Sequence, residues 1–320
     1  MNKSADSHTT STAPVLVAGP LFLDVVMGPL SALPEPGQEQ WVPGCTFAAG
    51  GAANQAVALA RLGVPTTLCS YIGADQPGQL TRSLLAAEGV DLSGLVEAAH
   101  QSVTVSLSLA QDRAMVTCGS DRAPLLSPTP NPPAALLADL TAIGANRGVI
   151  ASWRDQSPDL LVIADVGWDP TGQWDPSILQ HLDLVDIFVP NEVEALNYTG
   201  APSVEAAAEQ LAGPHRSVVV TRGAKGAYAW THNRGRLVPS PTVETVDPTG
   251  AGDTFTAGLT WALLRGEDIF EACHHANLAA AWSVQSLGGS VSAPYPEDLD
   301  RLQHRRNHGL RAAEADRQQR

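Results

Sequence analysis

Short apolar runs, separated by glycine, proline and polar turns, recur along this 320-residue chain, and their lengths sort strands from helices. Residues 14–19 form an apolar run closed by Gly19, too short for a helix and so expected as a buried first strand. Residues 66–72, 160–165, 184–189 and 217–221 repeat that pattern. Helical spacing marks 79–88, 204–211 and 269–285, and residues 48–63 form a glycine turn entering a helix that Gly63 and Pro65 close. Strand alternating with helix predicts an α/β fold, a mostly parallel central sheet flanked by helices. Two segments break the rhythm. Residues 103–109 alternate with period two, as do 114–118 beyond a turn at Gln111, which predicts an antiparallel hairpin. With a short strand expected at 40–47, it makes a small antiparallel β lid drawn from about 38–48 and 101–119. Residues 33–37 and 124–133 are turn-rich and proline-rich loops. A disordered tail is expected at 1–13, one main domain at 14–300 and a basic tail or terminal helix at 301–320.

Charge narrows the partners. The 19 basic and 33 acidic residues leave a net charge of −14, which argues against general nucleic-acid binding. The imbalance is uneven: residues 301–320 hold six arginines against two acids, so the tail is +4 and the remainder −18. No apolar run approaches bilayer length and the N-terminal stretch lacks a signal-peptide core, so a soluble, cytoplasmic protein without a membrane partner is expected. Cys45, Cys69, Cys118 and Cys273 are widely spaced, which suggests neither zinc nor disulfides; most are expected as buried thiols.

Candidate chemistry collects where strands give way to helices. In open parallel sheets a ligand lies beyond the carboxyl ends of the strands, and those ends here carry Asp165, the pair Asn191 and Glu194, and Thr221-Arg-Gly223-Ala-Lys-Gly226. Asn191 and Glu194 share a face at a helix start, where an amide and a carboxylate suit water-mediated magnesium better than zinc. Helix capping by Asn191 explains them too. Asp24 stands among Leu21, Phe22, Leu23, Val25 and Val26, so it needs donors, either polyol hydroxyls or a backbone cap. Gly50-Gly51-Ala-Ala-Asn54 would let a ligand approach the backbone, although close helix packing explains the alanines equally well. Asp247-Pro-Thr249-Gly250-Ala251-Gly252-Asp253 runs into an apolar helix, and its small residues leave N–H groups facing an anion. Asp253 would repel a resting phosphate, so it makes sense as the acceptor of a hydroxyl proton beside it; a first-turn acid favoured by the helix dipole is the alternative. His274 and His275 are adjacent and point to different helix faces, which argues against a shared metal.

Taken in order, Gly50-Gly51-Ala-Ala-Asn54, Pro190-Asn191-Glu-Val-Glu194, Thr221-Arg-Gly223 and Asp247-Pro-Thr-Gly250-Ala-Gly252-Asp253 resemble the motifs of the ribokinase-like (PfkB) carbohydrate kinases, over residues 15–294. The resemblance implies the ribokinase-like fold and transfer of the ATP γ-phosphate to a hydroxymethyl group of a small sugar or nucleoside. It implies Asp253 as base, Gly250, Ala251 and Gly252 as an anion hole, and Asp24, Gly50, Gly51 and Asn54 as sugar-binding positions. Asn191 and Glu194 would stand beside magnesium and its waters, and Thr221, Gly223, Gly226 and Asn277 against the nucleotide. A potassium ion would lie near Asp247, Thr249, Gly288 and Ser292, and a homodimer through the lid follows from the same likeness.

The departures bear on the acceptor. Ala49 precedes the glycine pair where many members carry a glycine, Phe22 stands where ribokinases tend to carry an Asn, and no glutamate lies between 143 and 153 for the sugar contact ribokinase makes there. These weaken ribose, not phosphoryl transfer. Phe22 and Trp41 could stack on a base, so a nucleoside kinase is the alternative, and a binding protein without turnover is a further one. Arg113 is the only basic residue in the lid strands, which disfavours a phosphorylated acceptor. Lysine occurs only at Lys3 and Lys225, and the Gly-x-x-x-x-Gly-Lys-Ser/Thr loop is absent, so a P-loop mechanism is excluded.

Overall fold

The computed structural model describes residues 13–109, 113–167, 169 and 171–304. In chain order the strands are β1 (Val15–Ala18), β2 (Leu21–Leu30), β3 (Gly44–Gly51), β4 (Thr66–Gly73), β5 (Leu95–Ala98), β6 (Ser102–Leu109), β7 (Arg113–Cys118), β8 (Ala135–Asp139), β9 (Leu161–Asp165), β10 (Ile187–Phe188), β11 (Ser217–Thr221), β12 (Ala227–Thr231) and β13 (Arg234–Val238). The helices are α1 (Ala52–Arg61), α2 (Gln76–Ala87), α3 (Leu140–Ala145), α4 (Arg147–Gln156), α5 (Glu192–Thr199), α6 (Val204–Leu211), α7 (Ala251–Leu264) and α8 (Ile269–Ser283).

The main sheet runs β13-β12-β11-β10-β9-β8-β1-β4-β5, parallel from β11 to β5 and antiparallel in its last two pairings. Its middle strands are apolar on both faces because both are covered. Val17, Leu137, Ile163 and Val219 face a core built with α1, α7 and α8. Leu136, Val162, Val218 and Val220 face a second core built with α3, α4 and α6. From β1 the order runs outward through β4 in one direction and through β8 in the other. That switch point opens a crevice at the carboxyl ends of β1 and β8.

The smaller sheet has the order β3-β2-β6-β7. Its two outer pairings are antiparallel, and β2 and β6 run parallel because both rise from the same end of the main sheet. Cross-strand partners Phe47, Val25, Val105 and Val116 form one apolar row across its outer side, with Phe47, Val105 and Val116 exposed. The inner side carries Asp24, Thr104, Ser106 and Ser108, all buried.

The α/β class and the strands expected at 14–19, 66–72, 160–165 and 217–221 match, whereas β5, β8, β12 and β13 of the main sheet were not anticipated, and three further differences stand out. The strand expected at 40–47 begins at Gly44 and runs through the glycine pair to Gly51, because β2 pairs along its whole length. The strand expected at 184–189 is confined to Ile187–Phe188, since Pro176–Leu184 winds as a 3₁₀-helix. The ten-residue β2, centre of the small sheet, went unanticipated. Cys45 and Cys118 are exposed, Cys69 is half-buried and only Cys273 is buried, which corrects the expectation of mostly buried thiols. Cys45 and Cys118 lie on the small sheet, whose outer side no second layer of the described residues covers. Residues 296–304 are helical; the expected tails at 1–12 and 305–320, and the hairpin turn at Gln111, lie outside the described residues. Among the described residues no helix is long and apolar enough to cross a membrane.

Candidate active site

Two helices that begin at glycine meet over the switch point. Gly51 caps α1 with φ 65° and Gly250 caps α7 with φ 72°, and neither helix start has a side-chain cap. The left-handed turn at Gly250 suits glycine because a side chain there would strain the backbone. It would also put a Cβ 3.0 Å from Gly289 Cα. The first N–H of each helix is taken by a backbone carbonyl, Ala52 N by Pro20 O at 2.9 Å and Ala251 N by Pro248 O at 3.2 Å, and no side chain caps the N–H groups that follow. Asp253 stands in the first turn of α7, and Asn54 and Gln55 in that of α1.

The side chains converge on Asp253. Asn54 Nδ2 donates to its Oδ2 at 2.9 Å and Gln55 Nε2 to its Oδ1 at 3.2 Å. Gln55 Nε2 also donates to Asp165 Oδ2 at 3.2 Å. Burial raises the pKa of Asp253, while the bonds from Asn54 and Gln55 and the charge of Arg113 oppose the rise. Asp165 is pushed well above the usual carboxylate range by burial and then by Asp139, Asp253 and Glu194. Asp24 is 8% exposed and raised to about 6, mainly by burial and then by the charge of Asp253. Its carboxyl lies over Gly50, where a Cβ would fall 1.9 Å from Asp24 Oδ2; glycine is what lets the acid occupy that place.

Asn54 Oδ1 is buried without a hydrogen-bond partner among the described residues. Beside it, Asp247 Oδ1 accepts from Thr249 N at 3.0 Å and Thr249 Oγ1 at 2.7 Å, and Asp247 Oδ2 from Gly288 N at 2.9 Å. Ser292 Oγ donates to Gly288 O, so these four residues tie the loop before α7 to the loop after α8. Arg61, at the end of α1, grips Glu88 with two nitrogens and donates to Val291 O and Ala293 O, fixing the loop that carries Gly288 and Ser292.

Asn191 and Glu194 form a complete capping box at α5: Asn191 Oδ1 accepts from Glu194 N and Glu194 Oε2 from Asn191 N. Burial raises Glu194 to about 7 against those bonds. Asn191 bridges to Thr221, so both belong to adjacent strand ends. Asn277 Nδ2 donates to Val238 O at 3.0 Å, the same carbonyl against which Gly226 packs. The helix histidines diverge: His274 meets Gln303 and His275 meets Glu267. Gln55, Thr104 and Asp139 were not anticipated here. Gln55 carried a signal in following Asn54 directly, but adjacent helix residues diverge by about 100°, and it is the placing of Asp253 at the start of α7 that lets both amides reach one carboxylate.

An acid buried at a glycine-led helix start, above a parallel sheet with a small sheet alongside, is an arrangement suited to phosphoryl transfer. The pfkB family carbohydrate kinase model matches residues 31–296, and the chain belongs to this family. Relatives include the ribokinases of Haemophilus influenzae (28% identical; 80% of this chain, 87% of that one) and Bacillus subtilis (30%; 82% and 88%), and the nucleoside kinase of Methanothermobacter thermautotrophicus (28%; 77% and 81%). Similar solved structures include a protein of Agrobacterium tumefaciens assigned as a ribokinase (22% identical; 92% of this chain, 97% of that one; TM-score 0.79). Arabidopsis thaliana ribokinase complexed with ribose and ATP (24%; 91% and 98%; 0.72) and an E. coli protein assigned as ribokinase II in complex with ATP and Mg²⁺ (21%; 92% and 99%; 0.75) share the fold as well.

Proposed function

We propose that the chain transfers the γ-phosphoryl group of ATP to a hydroxymethyl group of a small sugar, with Asp253 as general base. The observation that carries this reading is the Asp253 carboxylate, gripped by two amides of α1 at the uncapped start of α7. Asp24 and Asn54, with the backbone at Gly50 and Gly51, grip acceptor hydroxyls; the partnerless Asn54 Oδ1 takes one as its donor. Asp253 accepts the proton of the attacking hydroxyl as its oxygen bonds to the γ-phosphorus and the bond from that phosphorus to the ADP oxygen breaks. N–H groups at Gly250, Ala251 and Gly252 stabilise the charge that spreads over the transferring group.

Thr221, Gly223, Gly226 and Asn277 form the nucleotide side, consistent with the ATP-bound relatives of the same fold. Magnesium, when bound, would offset the charge of the phosphates. The capping box uses only Oε2 of Glu194, so its other oxygen can accept from a metal-bound water, and Asn191 Nδ2 can donate to a phosphate oxygen. Potassium fits beside Asp247, a carboxylate 1% exposed whose hydrogen-bond donors from Thr249 and Gly288 are all neutral. The apolar outer row of the small sheet suits a homodimer that packs two such sheets face to face, to be tested by sedimentation velocity. An ATP-dependent kinase fits a cytoplasmic location.

A nucleoside acceptor is the second reading, favoured by the Methanothermobacter relative and by Phe22, whose ring packs where a Gly51 Cβ would point. A panel of sugars and nucleosides at fixed ATP, followed by ADP release, separates the two. No release above the acceptor-free background would sink both.

A further inference from the structure

Gln55 has no part in the transfer chemistry above, yet it occupies a singular place. Its residue is 7% exposed, and its Nε2 stands 3.2 Å from Asp253 Oδ1 and 3.2 Å from Asp165 Oδ2. One NH₂ group carries two protons, and each carboxyl group takes one. The reverse orientation would aim the amide oxygen at two carboxyl groups, so the chemistry of the site fixes the direction. Asn54 holds the other oxygen of Asp253, so donors on both oxygens lock rotation of that carboxylate.

We propose that Gln55 is a positioning residue for phosphoryl transfer: one proton of its amide orients the Asp253 carboxylate toward the acceptor hydroxyl, while the other ties the same amide to Asp165. This rests on the reading of Asp253 as base. A neutral amide is the group the place demands. A lysine or arginine would pair with the base and lower its basicity, and an apolar side chain would leave two acids facing each other without a donor. The charged groups around the pair are Asp24 from β2, Arg113 from β7, Asp139 from β8, Glu194 from α5 and Asp247 from the turn before α7. Repulsion from Asp139, Asp253 and Glu194 adds to burial at Asp165, whereas at Asp253 the two amides oppose burial. Burial raises both acids and Gln55 opposes the rise at each, so its amide serves both carboxyl groups as donor.

Gln55→Met keeps the length of the side chain and removes both donors; Gln55→Glu keeps its shape and donates only when protonated. With an acceptor taken from the panel, Gln55→Met is expected to lower kcat about 10- to 100-fold through misplacement of the base. The Kd for ATP should stay within about twofold, and the acid limb of the kcat–pH profile should move up by about one pH unit as the anion loses a donor. Gln55→Glu should recover part of the loss at low pH. A Gln55→Met enzyme with wild-type kcat and acid limb overturns the proposal, and so does one that loses thermal stability alone. If wild-type protein phosphorylates nothing in the panel, the kinase reading fails, and the role of Gln55 is decided separately by ¹³C NMR titration of the aspartate carboxyls. Asp253→Asn assigns the signal there. Its midpoint should rise in Gln55→Met, and an unmoved midpoint defeats the assignment of Gln55 as a donor that positions the Asp253 carboxylate.

Discussion

Helices α5 and α7 both start beside the crevice with an acid in the first turn, and they treat it in opposite ways. In α5, Glu194 turns back onto the Asn191 N–H while Asn191 accepts from Glu194 N, so the helix satisfies its own terminus. In α7 the cap is Gly250, which has no side chain to offer, and Asp253 is held by amides from another helix. The two acids share a residue class and a helical position and differ in who satisfies them. A carboxylate that closes its own helix end adds stability. One held from outside, beside uncovered backbone donors, is placed to act on something else.

The largest effect expected from that contrast is at Asp253. Asp253→Asn keeps the shape and removes the proton acceptor, so kcat should fall about 10²- to 10⁴-fold. ATP binding, measured by calorimetry, should stay within severalfold. Wild-type turnover in this variant would leave α7 with an ordinary first-turn acid.

Next in size is a pH effect at Asp24, whose pKa is raised from 3.8 to about 6 by burial first and the charge of Asp253 second. Between those values the folded chain binds the proton more tightly than the unfolded one, so stability falls as pH rises from about 4 to about 6 and is level above. At 1.36 kcal/mol per pKa unit the whole fall is about 3 kcal/mol. Asp24→Asn should flatten the Tm–pH curve over that window and raise Tm above it, while weakening acceptor binding. A slope that survives the substitution would place the titrating group elsewhere.

β1, β4, β9 and β11 were legible because doubly covered strands are continuous apolar runs, as in Leu160 to Ala164, whereas β5, β8, β12 and β13 of the same sheet were not. β2 was not, since Asp24 interrupts it and Val25 and Val26 follow without alternation. The period-two pattern of β6 was plain, but its sense was not: Thr104, Ser106 and Ser108 are 7%, 1% and 0% exposed and Val105 is 38% exposed, the reverse of an ordinary half-buried strand. The inner side lines a polar crevice, so hydroxyls face in. Asp24, Asn54 and Asp253 were legible from local motifs, and their convergence is what tertiary structure adds. Gln55 and Asp139 lay beyond any local pattern, because their relation to Asp253 and Asp165 exists only once α1, α7, β8 and β9 are assembled.

A smaller effect belongs to the glycine cap of α7. Gly250→Ala forces a side chain into the left-handed region, at about 1–2 kcal/mol, and sets its Cβ 3.0 Å from Gly289 Cα and 3.3 Å from the Asn54 side chain. Part of the cost should appear in chemical unfolding and part in kcat, since the first turn of α7 must shift relative to Asn54. If unfolding alone responds, the glycine serves folding and the contrast with α5 weakens.

The smallest effect should come from the capped helix. Asn191→Ala removes the Oδ1 that accepts from Glu194 N, and a lost N-cap costs about 1 kcal/mol. For a chain of this size that lowers Tm by about 2 °C. At saturating magnesium kcat should change less than about threefold, because the box acts on the helix and touches bound metal only through water. A tenfold loss of kcat at unchanged Tm would reverse the assignment: Asn191 and Glu194 would then belong with Asp253 in the chemistry, and the capping box would be the resting arrangement of two residues that open toward the phosphates.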